Sequence, residues 1–182
     1  NWELLVAVVL SAQCTDKKVN EVTVKLFKKY KTFEDYVKAD IKEFEQDVHS
    51  TGFYHNKAKN ILGAAKIIKE NFNGKMPKTM AELITLPGVA RKTANIILGN
   101  AFNIIEGIAV DTHVGRICQR LGLTKNYDPV KIEQDLMKLI PKEEWFKFTY
   151  RVIDFGRSIC DAKQPLCSEC PLNKLCPLAF KI

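Results

Sequence analysis

The chain has 182 residues, 46% of them hydrophobic, enough for one large or two small domains with real cores, which excludes a disordered polymer. It carries 28 Lys and Arg against 21 Asp and Glu, a net charge of +7 that favours a polyanionic partner, although a lysine-rich solvated face has the same signature. No apolar run reaches the roughly 18 residues of a membrane-spanning helix, and Leu4 to Leu10 is too short and lacks the basic leader of a signal peptide, so an intracellular protein without a membrane partner is expected.

Helical periodicity runs through the chain, with no convincing strand and no repeat, so the fold class is all-α. The chain opens on Asn1 inside an apolar segment without Met, and residues are expected to be missing before it. The first helix is expected over Trp2 to Gln13. Thr15-Asp16 caps the next, Lys17 to Lys29, and Thr32 and Asp40 cap two short ones. Tyr54 to Asn71 carries the stripe Ile61, Ala64, Ala65, Ile68, and Asn73-Gly74 ends it. Thr79 caps Met80 to Thr85, with Glu82 completing a capping box. Further helices are expected at Arg91 to Ala101, Thr112 to Leu121, Pro129 to Leu139 (Asp128 as N-cap) and Lys142 to Ser158. The proline-punctuated tail from Ser158 reads as an irregular loop. The segment Phe102 to Ala109 is the domain boundary, giving domains 1–106 and 107–182.

The stretch Leu86-Pro87-Gly88-Val89-Ala90-Arg91 joins two helices through a tight hairpin near 86–91. The second helix starts with unpaired backbone N–H groups, and such an end binds a phosphate through the backbone and the helix dipole. The same sequence also suits an ordinary helical corner packed in a core. Lys92 follows on the first turn, beside Arg91 and the positive helix end. That setting favours an uncharged, nucleophilic amine able to form a Schiff base, although a solvated lysine is the commoner use of the residue type. In Ala109-Val110-Asp111-Thr112-His113, Asp111 closes an apolar stretch and opens a helix. It reads as an N-cap, and also as a carboxylate able to stabilise an oxocarbenium-like centre or activate an attacking amine. His113 reads as a structural hydrogen-bonding residue.

Four of the six cysteines follow the pattern Cys160-x6-Cys167-x2-Cys170-x5-Cys176. Clustered cysteines without a secretory signal read as metal ligands before disulfides. Four thiolates in a short loop hold either zinc or a cubane iron–sulfur cluster, and composition alone does not choose. Cys14 and Cys118 read as buried small hydrophobes.

Taken in order, LLVAVVLSAQCTD, TGFYHNKAKNI, LPGVARKTANIIL, AVDTH and the cysteine tail resemble the endonuclease III branch of the helix–hairpin–helix DNA glycosylases, over nearly the whole chain. The resemblance implies a two-domain helical fold, a barrel domain with the hairpin and a cluster domain, with a DNA cleft between them. It implies removal of oxidised pyrimidines from duplex DNA by base flipping, then strand nicking by a lyase step. Lys92 falls on the catalytic nucleophile and Asp111 on the catalytic aspartate. Relatives that only remove a base lack lysine there, so Lys92 implies a glycosylase with associated lyase activity.

The resemblance further implies DNA contacts through Gly88, Val89, Ala90 and Arg91. Gln13 falls on the residue that fills the gap left by the flipped base, and Phe53 on the wedge, often leucine in the family. A helix end and a core position are the plain readings of the same two residues. Ala90 stands where many relatives have glycine, which requires a negative φ. The cysteine spacing implies a 4Fe-4S cluster at Cys160, Cys167, Cys170 and Cys176, with zinc the minor alternative. Lys163 lies in a basic loop facing DNA phosphates. The implied protein is a monomer acting on damaged double-stranded DNA, in the cytoplasm and nucleoid if the source is prokaryotic. A mismatch-directed thymine or uracil glycosylase and a non-catalytic DNA-binding module are the alternatives.

Overall fold

Ten α-helices carry the chain, and no β-strand occurs among the described residues, 1–181, of this computed structural model. They are α1 (Trp2–Leu10), α2 (Asp16–Lys29), α3 (Phe33–Lys38), α4 (Ile41–Val48), α5 (Tyr54–Asn71), α6 (Met80–Leu83), α7 (Arg91–Ile97), α8 (Thr112–Arg120), α9 (Pro129–Leu139) and α10 (Trp145–Ser158). None is long and apolar enough to cross a membrane. The chain divides into one compact unit, Asn1–Asn103, and a second beginning at Ile104, so the break lies at 103/104 rather than 106/107.

Caps set most of the helix starts. Thr15, Thr32, Asp40, Thr79, Asp111 and Asp128 each accept a backbone N–H of the first turn they precede. Around Thr79 the box differs from the expected form: Glu82 Oε2 accepts from Lys78 N at 3.3 Å and from the Thr79 hydroxyl at 2.8 Å. Four ends depart from the sequence reading. The first helix stops at Leu10, not Gln13, because the chain tightens into turns there (Ala12 N to Val9 O, Cys14 N to Ser11 O) and Gln13 turns left-handed at φ 51°. The sixth stops at Leu83. The seventh widens after Ile97 into a π-helical turn, Leu98–Phe102, and α10 follows a separate 3-10 turn, Lys142–Glu144.

In the first unit α1, α3 and α4 all pack on α5. Ala58, Ile61, Ala64, Ala65 and Ile68 of α5 are fully buried, and the small residues among them let neighbouring helices come close. Beside them stands an aromatic group. Trp2 meets Phe33 and Tyr36 edge-on, with centroids 5.2 and 5.3 Å apart, and Tyr36 meets Phe44 at 5.9 Å.

The hairpin between α6 and α7 closes with Val89 N bonded to Leu86 O at 3.1 Å. Gly88 there has φ 77°, and a Cβ on it would lie 3.0 Å from Asn60 of α5. Both backbone and packing therefore require glycine.

The second unit is built on Ile108, Val110, Val114, Ile117, Cys118, Ile132, Leu136 and Val152. A Cβ on Gly156 would sit 2.7 Å from Ile117 and 2.8 Å from His113, so glycine is what lets α10 approach α8. Burial pushes the Cys118 thiol up to about 12, which makes it an inert packing residue. Before α9 a polar latch forms: Asp135 accepts from the Thr124 hydroxyl at 2.6 Å and from Asn126 Nδ2 at 2.7 Å.

Two outcomes are expected. Gly88→Ala forces a left-handed alanine against Asn60, and the unfolding free energy should fall by about 1–3 kcal/mol in urea titration. The hydrogen bonds from Thr124 and Asn126 hold the Asp135 carboxyl below the usual carboxylate range. Its stabilisation is therefore complete above the unfolded-state value of about 3.9 and is lost as pH falls through the lower folded-state value. Asp135→Asn should flatten that part of the acid limb of stability, followed as the urea midpoint against pH.

Candidate active site

In the first unit, α7 begins directly after the hairpin. Ala90, its N-cap, has φ −93° and ψ 173°, the negative φ a methyl group needs, and no side chain caps the helix. Arg91 and Lys92 are its first two residues, with the Lys92 side chain exposed. Gly88 and Ala90 are exposed, whereas Val89 is buried at 5%, so Val89 can meet a ligand only through its backbone.

The structure brings Gln13, Phe53 and Gly88 together on one open cavity of about 260 Å³. Phe53 is not a core residue: it is 64% exposed and left-handed at φ 49°, at the N-terminus of α5. Gln13, also exposed, stands in the turn beyond α1. Two non-glycine residues held in a sparsely populated backbone region, on one cavity, are the kind of local strain that marks functional surfaces.

The same cavity is lined by Asn56, Lys57, Asn60 and Thr93, none of which the sequence singled out. Asn56 and Asn60 lie four apart on α5, a polar pair at helical spacing that could have been noticed. Lys57 gave no signal, since lysine is normally solvated. It is 4% exposed, and its amine donates to Leu10 O and Thr51 O, each at 2.8 Å. Burial holds its pKa below the ordinary lysine value, and nearby Cys14 partly opposes that.

In the second unit, Asp111 is the N-cap of α8. Its Oδ1 accepts from Val114 N at 2.8 Å, which uses one of its two carboxylate oxygens for structure. The strand-like approach to it is fixed by the buried Ile108, Ala109 and Val110, and Thr149 of α10 donates its hydroxyl to Ala109 O at 3.1 Å. His113 Nδ1 lies 3.3 Å from Arg116 Nη2, a structural pairing within α8.

Cys160, Cys167, Cys170 and Cys176 line one cavity with Leu121, Phe155, Ile159, Pro165 and Leu166. Arg120 of α8 donates through Nη1 to Cys160 Sγ at 3.3 Å and to Asp161 O at 2.6 Å, and through Nη2 to Ala162 O at 2.9 Å. Leu172 N lies 3.4 Å from Cys170 Sγ. N–H donors on the sulfurs and an apolar wall suit thiolate ligands of an iron–sulfur cluster. Lys163 is exposed in the same loop, where the Asp161 carboxylate accepts the backbone N–H groups of Lys163 and Gln164.

A family model for HhH-GPD superfamily base excision DNA repair proteins matches residues 6–142. Endonuclease III of Synechocystis sp. is 56% identical over 177 residues, covering 97% of this chain and 81% of that protein. Endonuclease III of Bacillus subtilis is 51% identical over 176 residues, covering 96% and 80%. A solved structure of a trapped endonuclease III–DNA covalent intermediate superposes with a TM-score of 0.93 at 49% identity, covering 98% of this chain and 84% of that one. With the hairpin, the exposed lysine behind it and the cysteine tail in the same order along one helical chain, the protein belongs to the endonuclease III family of the HhH-GPD superfamily.

Proposed function

We propose that this protein excises oxidised pyrimidines from duplex DNA and then nicks the strand, with Lys92 as nucleophile. The observation that carries the reading is Lys92 itself, an exposed amine on the first turn of α7 directly after the hairpin. It stands in a chain that matches endonuclease III along 97% of its length. A base inside the duplex shields its own sugar, so the damaged nucleotide must leave the stack first. Gln13 and Phe53 would occupy the space it leaves, a reading supported by an exposed amide and an exposed ring on one cavity.

The chemistry follows from the groups. The Lys92 amine, once it has given up its proton, attacks C1′, the C1′–N bond breaks and the base leaves with its electron pair. Ring opening gives an iminium between Lys92 and C1′. That electron sink acidifies the C2′ proton, and its loss expels the 3′ phosphate by β-elimination. The proton released from the attached amine passes to water, and Asp111, which the family resemblance makes the catalytic aspartate, would stabilise positive charge developing at the sugar. Backbone N–H groups of the hairpin and of the uncapped start of α7, with Arg91, hold a phosphate.

The four cysteines would hold a 4Fe-4S cluster, whose contribution is to shape the tail loop carrying Lys163 toward phosphate. Excision itself is carried by the chain's own side chains.

Borohydride trapping on a duplex with one thymine glycol tests the reading. The parent protein should form a covalent adduct, and Lys92→Gln should form none while still binding the duplex. An adduct only with a uracil–guanine or thymine–guanine duplex would reassign the substrate, and none with any duplex would remove the enzymatic reading. For the cysteines, the purified protein should show a broad absorption band near ~400 nm with iron and sulfide in equal amounts. A colourless protein would exclude the cluster.

A further inference from the structure

We propose that Lys57 is the positioning residue for the two inserting side chains, its buried amine tying together the turns that carry Gln13 and Phe53. The inference rests on the glycosylase reading of those two residues and goes beyond it to what holds them.

The geometry is specific. Leu10 is the last residue of α1, and its carbonyl precedes Gln13 by three residues. Thr51 closes the 3-10 turn His49–Thr51, and its carbonyl precedes Phe53 by two. One amine therefore bonds the C-terminal ends of two helical turns, each at 2.8 Å and each just before a left-handed residue. Carbonyls at helix ends carry negative partial charge and suit an ammonium. Lys57 reaches them from the first turns of α5, where its own N–H bonds Phe53 O at 3.1 Å. The side chain thus touches the backbone on both sides of the cavity that Gln13 and Phe53 share.

A lysine used only for solubility would not be buried, and one used only for packing would not need two acceptors on separate turns. An ammonium buried at 4% exposure with carbonyl partners is costly, and it is retained here where two exposed side chains must stand at a fixed separation. Ordering both turns before DNA arrives removes that entropy loss from the binding step. The consequence is preorganisation: without the amine the turns are free to drift, and the side chains meet the base stack out of register.

The test is a double-mutant cycle read by single-turnover excision from a duplex bearing one thymine glycol. Lys57→Met keeps the stem and removes the donor. In the parent background it should slow excision by roughly tenfold or more, the scale of loss for misplaced groups. In a Gln13→Ala, Phe53→Ala background the same substitution should cost less than about twofold, because the side chains it positions are gone. A loss of the same size in both backgrounds, or none in either, overturns the proposal. If Lys57→Met does not fold, Lys57→Gln, which keeps an N–H donor, is carried through the same cycle. Failure of both to fold also overturns it, since Lys57 would then serve stability alone. A parent protein that leaves the duplex intact sinks the glycosylase reading and this role with it. A parent that cuts while the cycle stays additive sinks Lys57 alone.

Discussion

Burying α5 is the constraint on which the first unit is organised. Its apolar stripe has to be covered on several sides, and α1, α3 and α4 do so. Once that helix is fixed in the core, its first turns are fixed too, and these carry the groups that matter. Phe53 precedes it, Lys57 reaches out of it to two other turns, and Asn60 sets the space that Gly88 must leave empty. Core and candidate DNA surface are therefore one construction. Fully buried residues such as Ile61 and Ala64 transmit their placement directly to exposed ones such as Phe53, because a packed interior deforms little.

The second unit solves a different problem. Among the described residues, no helix or strand follows α10 to hold the tail. Arginine does that work: Arg116 donates to Cys160 O at 2.9 Å, and Arg120 reaches Cys160, Asp161 and Ala162. A planar guanidinium with several fixed donors can seat a loop by its carbonyls in a way lysine cannot. The start of the cysteine loop is thus tied to α8, the same helix that Asp111 caps.

Much of this was legible in the sequence, for physical reasons that differ by element. Helix starts were readable because Thr32, Asp40, Thr79 and Asp128 act locally, within three residues of the groups they satisfy. The bounds of α5 and α9 were readable because periodicity and flanking residues agree. The end of α1 was not. Apolar residues run past Leu10, and no glycine announces the left-handed turn at Gln13. The widening after Ile97 and the separate turn before Trp145 have no local signature either. Lys57 was invisible because its partners lie 47 and 6 residues away, and nothing in a lysine's neighbours tells burial from solvation. The cysteine spacing marked a candidate ligand set, but the arginines that tie its first cysteine to α8 had no signal in the sequence.

The left-handed backbone at positions 13 and 53 also restricts which residues evolution can try there. In that region a branch at Cβ collides with the flanking peptide, so valine, isoleucine and threonine are disfavoured at both sites. A large apolar side chain at 53 is then favoured to be unbranched at Cβ, as leucine, methionine, phenylalanine and tryptophan are. The backbone thus narrows the repertoire of shapes the protein can present, before any contact with a ligand selects among them.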